Sequence, residues 1–490
     1  MKKLISSMLC LSLLVASLMP VKAATPNPPS VGAYESGVHR NLFKEIGKTD
    51  EEIQQKLEAA FQQLFHGNDN QRLYYESGDM AHIRDIANGD VRSEGMSYAM
   101  MICVQMDKKE EFDKLWKWAR TYMYHTSGPL KGFFAWQCNY NGGIMDSTPA
   151  SDGDEYFAMA LLFAAKRWGN GTGIFNYEQE AMTILDAMLH QSDDGEGYDM
   201  FNKNSKQVVF CPTAGNTEFT DPSYHLPGFY ELFALWGPSR DSEMWKEIAA
   251  TSREYFKKAT HPTTGLGPDY SEFSGAPKEV SWSQGHGDFR FDAWRIAQNI
   301  AFDYAWWAKD SWAMTHADRI QDFFMGQGLK TYGNLFTLSG TKLSSDHSPG
   351  LVAMNAVASL AATKSQAYDF VQELWDTQVP SGQYRYYDGC LYMLGMLHCS
   401  GNFKIWGNPN LKDGTEPSFI VGDVNGDTEV NSLDFGLMRK YLLGKIKTFD
   451  YEYAMEAADV NGDGEFNSLD FASVRKYLLG KIKEFPASSK

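Results

Sequence analysis

"PASDGDEYFAMALLFAAKRWG", residues 149–169, sets three acids, Asp152, Asp154 and Glu155, at the head of a run that is apolar at nearly every position. Its length and lack of strand alternation predict a helix buried on all sides. Two readings of the acids are open. Ser151 or Asp152 can cap the helix, with Asp154 and Glu155 favouring its dipole from the first turn; or the acids take part in chemistry. "VRSEGMSYAM", residues 91–100, poses the same choice, because Ser93 can cap while Glu94 stands at the rim of an apolar helix. There, loss of solvation raises a carboxyl pKa, which suits a general acid near neutral pH. "GDFRFDAWRIAQNIAFDYAWW", residues 287–307, adds Asp292 near Phe291 and Trp294. Arg295, one helical turn on, supplies the plain alternative, an ion pair closing a helix end.

The rest of the chain bounds what such acids can do. Its 490 residues can bury a sizeable core, and aromatics reach 14%, with 13 Trp, 25 Tyr and 30 Phe. These rings are core packing or platforms for the flat apolar faces of a ligand. A formal net charge of -17 argues against nucleic acid or an anionic membrane as partner and for a neutral substrate. Residues 1–23 carry two lysines, an apolar stretch from Leu4 to Met19 and small residues before a cleavage point, the pattern of a secretory signal peptide. The expected location is extracellular, with no membrane span. The five cysteines that remain, Cys103, Cys138, Cys211, Cys390 and Cys399, are scattered and read as core thiols with at most one bridge, Cys390 and Cys399 being nearest in sequence.

Near the C-terminus the chain repeats itself. "GDVNGDTEVNSLDFGLMRKYLLGKI" from Gly422 returns as "ADVNGDGEFNSLDFASVRKYLLGKI" from Ala458. Each copy places oxygen ligands at loop positions 1, 3, 5, 9 and 12: Asp423, Asn425, Asp427, Asn431 and Asp434, then Asp459, Asn461, Asp463, Asn467 and Asp470. That is the spacing of an EF-hand calcium loop, in which position 7, here Glu429 and Glu465, contributes its backbone carbonyl. Position 12 departs from the usual Glu, and Thr428 stands where the second loop keeps Gly464. One helix follows each loop. The duplicated unit, with Ser432-Leu433 and Ser468-Leu469 at positions 10 and 11, resembles a type I dockerin over residues 421–488. That resemblance implies structural Ca2+ and a cohesin partner on a cellulosome scaffold. It also implies two alternative binding faces that involve Arg439-Lys440 and Arg475-Lys476.

Residues 409–420 read as a polar linker, which leaves residues 30–408 as one catalytic-sized domain. Periodicity marks helices within 50–67, 93–125, 154–169, 177–191, 227–237, 292–309, 315–328 and 350–363, separated by Gly- and aromatic-rich connectors. The expected class is all-α. The segments "RSEGMSYAM", "FAWQ", "ASDGDEYFAMALLFAAKRW", "DPSYHLPGFYELFA" and "FDAWRIAQNIAFDYAWW" resemble the successive signatures of glycoside hydrolase family 8.

The resemblance implies an (α/α)6 barrel and inversion at the anomeric carbon, with Glu94 as proton donor and Asp292 as the base that activates water. Asp152 would bind and distort the sugar at the cleavage point, Tyr224 would help place the water, Trp136 would stack on sugar and Arg295 would orient the base. Asp154 and Glu155 are then helix-start and supporting residues. "GVHRNLFKEIGKTDEEIQQKLEAAFQQLFHGN", "MAHIRDIANGDVRSEGMSYAMMICVQMDKK" and "FFAWQC" are similar to the xylan-active branch, so a β-1,4-xylan or xylo-oligosaccharide substrate is expected. A β-1,4-glucanase or chitosanase is the alternative within the family, and a noncatalytic carbohydrate-binding or scaffolding element the alternative outside it. Exo or endo action turns on residues 343–355, where His347 and Pro349 are similar to a loop that blocks the cleft in exo members but the stretch is shorter than theirs, which leaves both actions open. No catalytic metal is expected, since the large domain shows no His or Cys cluster at ligand spacing.

Overall fold

The computed structural model describes residues 25–193, 195–411, 420–426, 429–449, 451, 454–483 and 485. The segment expected to be a signal peptide, most of the expected 409–420 linker, Asp427 and Thr428 lie outside the described residues. The chain forms two compact units, divided between Leu411 and Lys412.

After two four-residue helices, Ala33–Ser36 and Leu42–Glu45, twelve longer helices build the large unit among the described residues: α1 (Asp50–His66), α2 (Ser93–Gln105), α3 (Lys109–Tyr122), α4 (Ser151–Trp168), α5 (Tyr177–His190) and α6 (Pro227–Trp236), then α7 (Ser242–Ala259), α8 (Arg295–Trp307), α9 (Trp312–Gln327), α10 (Pro349–Val357), α11 (Ala367–Asp376) and α12 (Arg385–Cys399). The even-numbered helices are buried around nearly their whole circumference; in α2 only Glu94 is not fully buried. Odd-numbered helices bury one stripe and turn charged residues outward, as α3 does with Phe112, Leu115, Trp116, Trp118 and Ala119. α2 packs on α4, α8 on both α6 and α10, and α10 on α12, while α12 returns to α2. Tyr156 against Phe229 joins α4 to α6. The ring closes, giving an (α/α)6 barrel of six inner and six outer helices.

Close approach of the inner helices depends on small residues. A Cβ on Gly153 of α4 would lie 2.6 Å from the Ser93 hydroxyl of α2. The outer helix α1 begins with a reciprocal capping box between Thr49 and Glu52. The two inner helices whose acids raised the opening question do not begin that way. Ala150 and Arg92 occupy the N-cap positions of α4 and α2, with no side-chain cap at either. Ser151 instead donates its hydroxyl to the Val209 carbonyl at 2.8 Å, so the capping readings of Ser93, Ser151 and Asp152 are corrected. Asp154 and Glu155 do fall at the helix start, but both are fully buried. Burial pushes both carboxyls well above their usual range, and Tyr230 donates to Glu155 at 2.7 Å. They favour the barrel core as neutral acids, not the dipole as charges.

Periodicity read 93–125 as one helical stretch; it breaks between α2 and α3 at Asp107, whose φ is 61°. Helices α7, α11 and α12 lay outside the expected stretches. Strands of two to four residues occupy the connectors, including Val91–Arg92 paired with Gln137–Cys138. Most of the aromatic excess is core, with Trp116, Trp118, Trp245 and Trp306 among the largest fully buried side chains. The five cysteines among the described residues are buried free thiols. No described helix is long and apolar enough to cross a membrane.

In the smaller unit, α13 (Ser432–Leu442) and α15 (Ser468–Leu478) pack against each other, with the short α14 (Ala454–Ala458) between them in sequence. Phe435 and Phe471, equivalent positions of the repeat, stack at 4.2 Å and 9°. Val424, Met438, Val460 and Val474 lie in its core.

Candidate active site

The N-terminal ends of the inner helices meet at one cleft of about 1080 Å³. Glu94 and Asp152 are the second residues of α2 and α4, Tyr224 and Asp292 sit in single 3-10 turns leading into α6 and α8, Pro349 opens α10, and Tyr386, Tyr387 and Asp388 lie in the first turn of α12. Helix N-termini leave amide donors unpaired and carry the positive end of the dipole, so this end of the barrel stabilises carboxylates and hydroxyl-rich ligands.

The barrel brings Glu94, Asp152 and Asp292 together around Arg295, itself 3% exposed. Arg295 Nη1 lies 2.5 Å from Asp152 Oδ2 and 3.6 Å from Glu94 Oε2, and Nη2 lies 3.0 Å from Asp292 Oδ1. The Tyr98 hydroxyl also accepts from Nη1. The expected Asp292–Arg295 ion pair is present, but it is one edge of a hub joining three acids. Burial pushes Glu94 up to about 8; Arg295 opposes this, while Asp292 and Asp152 reinforce it. The Glu94 carboxyl therefore keeps its proton at neutral pH. Asp152 is also raised by burial, against the pull of Arg295, and accepts the Gly153 amide at 2.8 Å.

Trp136 and Tyr224 line the same cleft. The Arg92 guanidinium lies 5.5 Å from the Trp136 ring centroid. Tyr224 lies parallel to Phe210, with centroids 6.1 Å apart. Of the site residues expected in this unit, Glu94, Asp152, Asp292, Tyr224 and Trp136 line one cleft, and Arg295 lies buried against three of them.

Several others were not legible in the sequence. Tyr386 donates to Glu94 Oε1 at 3.0 Å, across the backbone of Gly95, where a Cβ would meet the Tyr386 ring at 2.5 Å. Tyr387 donates to the Phe291 carbonyl at 3.0 Å and approaches Asp292 Oδ1 at 3.4 Å. Phe291 has φ 25°, a strained conformation immediately before Asp292. The available signal was the run Tyr384, Tyr386, Tyr387 leading into an apolar segment. Trp282 and Tyr384, 61% and 74% exposed, add open rings to the cleft. Asp221 and Asp269 lie beside Asp292, one carboxylate oxygen of each within 4.8 Å of the other two. Loop 343–349 contributes Asp346, His347 and Ser348, and His347 Nδ1 donates to the Tyr332 carbonyl at 2.9 Å.

In the smaller unit the two loops fold alike. Asp423 Oδ1 accepts the Gly426 amide at 2.8 Å, and Asp459 Oδ1 accepts the Gly462 amide at 2.8 Å. Asp434 and Asp470 are buried, and each returns Oδ2 to the amide of its N-cap residue at 2.9 Å. Asn431 and Asn467, expected as ligands, have their amide oxygens engaged as N-caps of α13 and α15, each 2.8 Å from the following Leu amide. Only the second lone pair of each is left for a cation. Asn425, Asp463 and the Glu429 and Glu465 positions complete loops whose donors are all hard oxygen. Ser432, Leu433, Arg439 and Lys440 are exposed, as are their repeats Ser468, Leu469, Arg475 and Lys476. Leu433 and Leu469 are 62% and 65% exposed.

Comparison with known proteins agrees with both units. The profile of glycosyl hydrolases family 8 matches residues 78–401, and that of the dockerin type I domain matches 421–479. The chain is 46% identical over 381 residues to the reducing-end xylose-releasing exo-oligoxylanase Rex8A of Paenibacillus barcinonensis, covering 76% of this chain and 98% of that protein. It is 31% identical to endoglucanase A of Acetivibrio thermocellus, over 75% of this chain and 76% of that one. The crystal structure of a family 8 xylobiose complex from Teredinibacter turnerae superposes with a TM-score of 0.74 at 48% identity, covering 76% of this chain and all of that one. With its acids gathered at the mouth of an (α/α)6 barrel and a loop-helix repeat following in the sequence, this chain belongs to glycoside hydrolase family 8 and carries a type I dockerin domain.

Proposed function

We propose that the protein is a secreted, inverting hydrolase of β-1,4-xylosidic bonds, carried on a cellulosome scaffold through its dockerin. The observation that carries the catalytic reading is the difference between two acids in one cleft. Glu94 is held protonated by burial, while Asp292, its side chain 30% exposed, is paired with Arg295. One protonated acid and one carboxylate are what glycoside hydrolysis needs. Glu94 donates its proton to the leaving oxygen. Asp292 takes a proton from the water that attacks the anomeric carbon from the opposite face. Asp152, fixed by Arg295 and the Gly153 amide, binds the sugar between them. Tyr224 positions the water, and Trp136 stacks on the chain. Xylan is favoured over glucan by the higher identity to a xylo-oligosaccharide-active relative than to an endoglucanase. A purely carbohydrate-binding role leaves the protonated Glu94 without a purpose.

Xylohexaose tests this directly. The expected result is release of xylose one unit at a time, with the new reducing end in the α configuration by proton NMR. The lining of the cleft by Asp346, His347 and Ser348, with His347 Nε2 buried and unpartnered, supports this end-directed reading. A spread of mid-sized oligomers would make the enzyme endo-acting. Retained β configuration would remove the roles given to Glu94 and Asp292, and faster cleavage of a β-glucan would replace the substrate.

For the dockerin, the all-oxygen donor sets fit calcium. Asp423, Asn425 and Asp434, and Asp459, Asn461, Asp463 and Asp470, would hold it, with the backbone carbonyls at 429 and 465; Asp427 lies outside the described residues. Bound calcium would neutralise the clustered carboxylates and fix each loop against its helix. Isothermal titration of the full chain with a type I cohesin is expected to show binding in calcium and at least a 100-fold loss in excess chelator, reversed by adding calcium. Binding undiminished by the chelator would take calcium out of the interaction.

A further inference from the structure

Three carboxyl groups meet on the Asp292 side of the cleft, and the reaction as proposed uses one of them. Asp221 ends the segment before the Pro222–Tyr224 turn, and its Oδ1 accepts the Ser223 amide at 2.7 Å. Its Oδ2 is buried without a partner. Asp269, 2% exposed, has Oδ2 at 2.5 Å from His286 Nδ1, and its Oδ1 is likewise buried without a partner. One oxygen from each of these two and one from Asp292 lie within 4.8 Å of one another. A triangle with edges no longer than that has its centre within hydrogen-bond distance of all three corners.

The charges facing this trio are few. Arg295 serves Asp152 as well as Asp292, and Arg290, whose own Nη1 donates to the Gln284 carbonyl at 2.8 Å, opposes the rise of Asp269 ahead of Arg295. The phenols of Tyr224, Tyr270 and Tyr387 are raised by burial and stay neutral. His286 is lowered by burial, so its neutral ring donates from Nδ1 to Asp269 and accepts the Ser283 hydroxyl at Nε2, 2.8 Å away. Two buried carboxylates beside the half-buried Asp292 cannot all three be ionised against so little positive charge.

Resting on the proposed role of Asp292 as base, we infer that Asp221 and Asp269 are positioning residues. They remain protonated, and their free hydroxyls hold Asp292 through one water bound at the centre of the trio. His286 determines which oxygen of Asp269 carries the proton: with Oδ2 occupied as an acceptor, the proton resides on Oδ1. The pair therefore presents two donors to the bridging water, which donates in turn to the base, and adds no negative charge beside it. Held by them as well as by Arg295 and Tyr387, Asp292 is fixed in orientation beside the attacking water. Burial, and then the charge of Asp292, push both carboxyls well above the usual range, consistent with this assignment.

Infrared difference spectroscopy tests the protonation without needing turnover, and so separates this inference from the choice of substrate. In full-length protein carrying Glu94→Gln, which removes the band of Glu94 itself, the protonated carboxyl band at pH 7 is expected to lose intensity on Asp269→Asn and again on Asp221→Asn. No loss on either substitution means those acids are ionised and overturns the inference. Disappearance of the band on adding millimolar Mg2+ or Ca2+ would also overturn it, by making the trio a cation site. In the otherwise native enzyme, Asp269→Asn keeps a neutral donor and is expected to lower kcat about 3-fold to 10-fold, with KM within 2-fold and the acid limb of the pH profile in place. Asp269→Ala removes the donor and is expected to cost at least ten times more in kcat. If the Asn variant moved the acid limb down by a full pH unit, a negative charge would have been removed from beside the base, and the inference would fail.

Discussion

Glu94→Gln is expected to lower kcat on xylohexaose by about 10³-fold while leaving the barrel folded, and Asp292→Asn to do the same. The two losses have different causes. Gln at 94 can accept the hydrogen bond of Tyr386 but has no proton to give the leaving oxygen. Asn at 292 can still sit beside Arg295 but cannot take the proton of water. In the native enzyme the proton on Glu94, held up to about 8, is needed for turnover, so activity is expected to fall as pH rises through that value. The same shift acts on stability. Folding raises the pKa of Glu94 above its ordinary value of 4.5, so the native state binds more protons than the unfolded chain between 4.5 and about 8, and its stability declines as pH rises across that window. Glu94→Gln removes that decline and is expected to melt no lower than wild type at pH 8. Wild-type turnover in both variants would dissolve the assignment of acid and base.

The second large effect is expected at Arg295, where function and stability fall together. Arg295→Leu takes the cation from Asp152 at 2.5 Å and Asp292 at 3.0 Å and leaves both inside the barrel mouth. Stranding buried charge in this way costs about 3–5 kcal/mol unless the acids take up protons. Proton uptake relieves that cost but disables the base. Urea unfolding at pH 7 should show the destabilisation, and the gap to wild type should narrow as pH falls and the acids are neutralised. kcat is expected to drop at least 100-fold, with the acid limb of the pH profile moved upward. Arg295→Lys keeps the charge but not the planar fork that reaches two carboxylates at once, so it should recover stability more fully than activity. An Arg295→Leu enzyme with kcat within 10-fold of wild type would show that the hub is dispensable.

Part of this was legible from local pattern alone. The buried character of residues 151–168 follows from apolar residues on every face, and no tertiary information is needed to see it. The dockerin loops are legible because their ligands repeat at fixed spacing along the chain. Glu94, Asp152, Asp292 and Arg295 were recognisable by motif. Helix α12 escaped the periodic reading because Gly389 and Gly395 lower its propensity; its packing requires them, since a Cβ at Gly395 would lie 2.8 Å from that of Ala353. The outer helices α7 and α11 were missed among charged and polar residues that the barrel places on its exposed face.

What the amino-acid order determined by itself was whatever depends on near neighbours: which segments are helical, which are buried all round, and where a cation loop repeats. The tertiary structure decided what depends on closing the ring. Arg295 meets Asp152 across 143 residues of chain and Tyr386 meets Glu94 across 292, distances over which no periodicity carries information. Closure also decided that the acids at the helix starts would be buried instead of capping, because six helix N-termini converging on one mouth exclude the water that a charged cap would need.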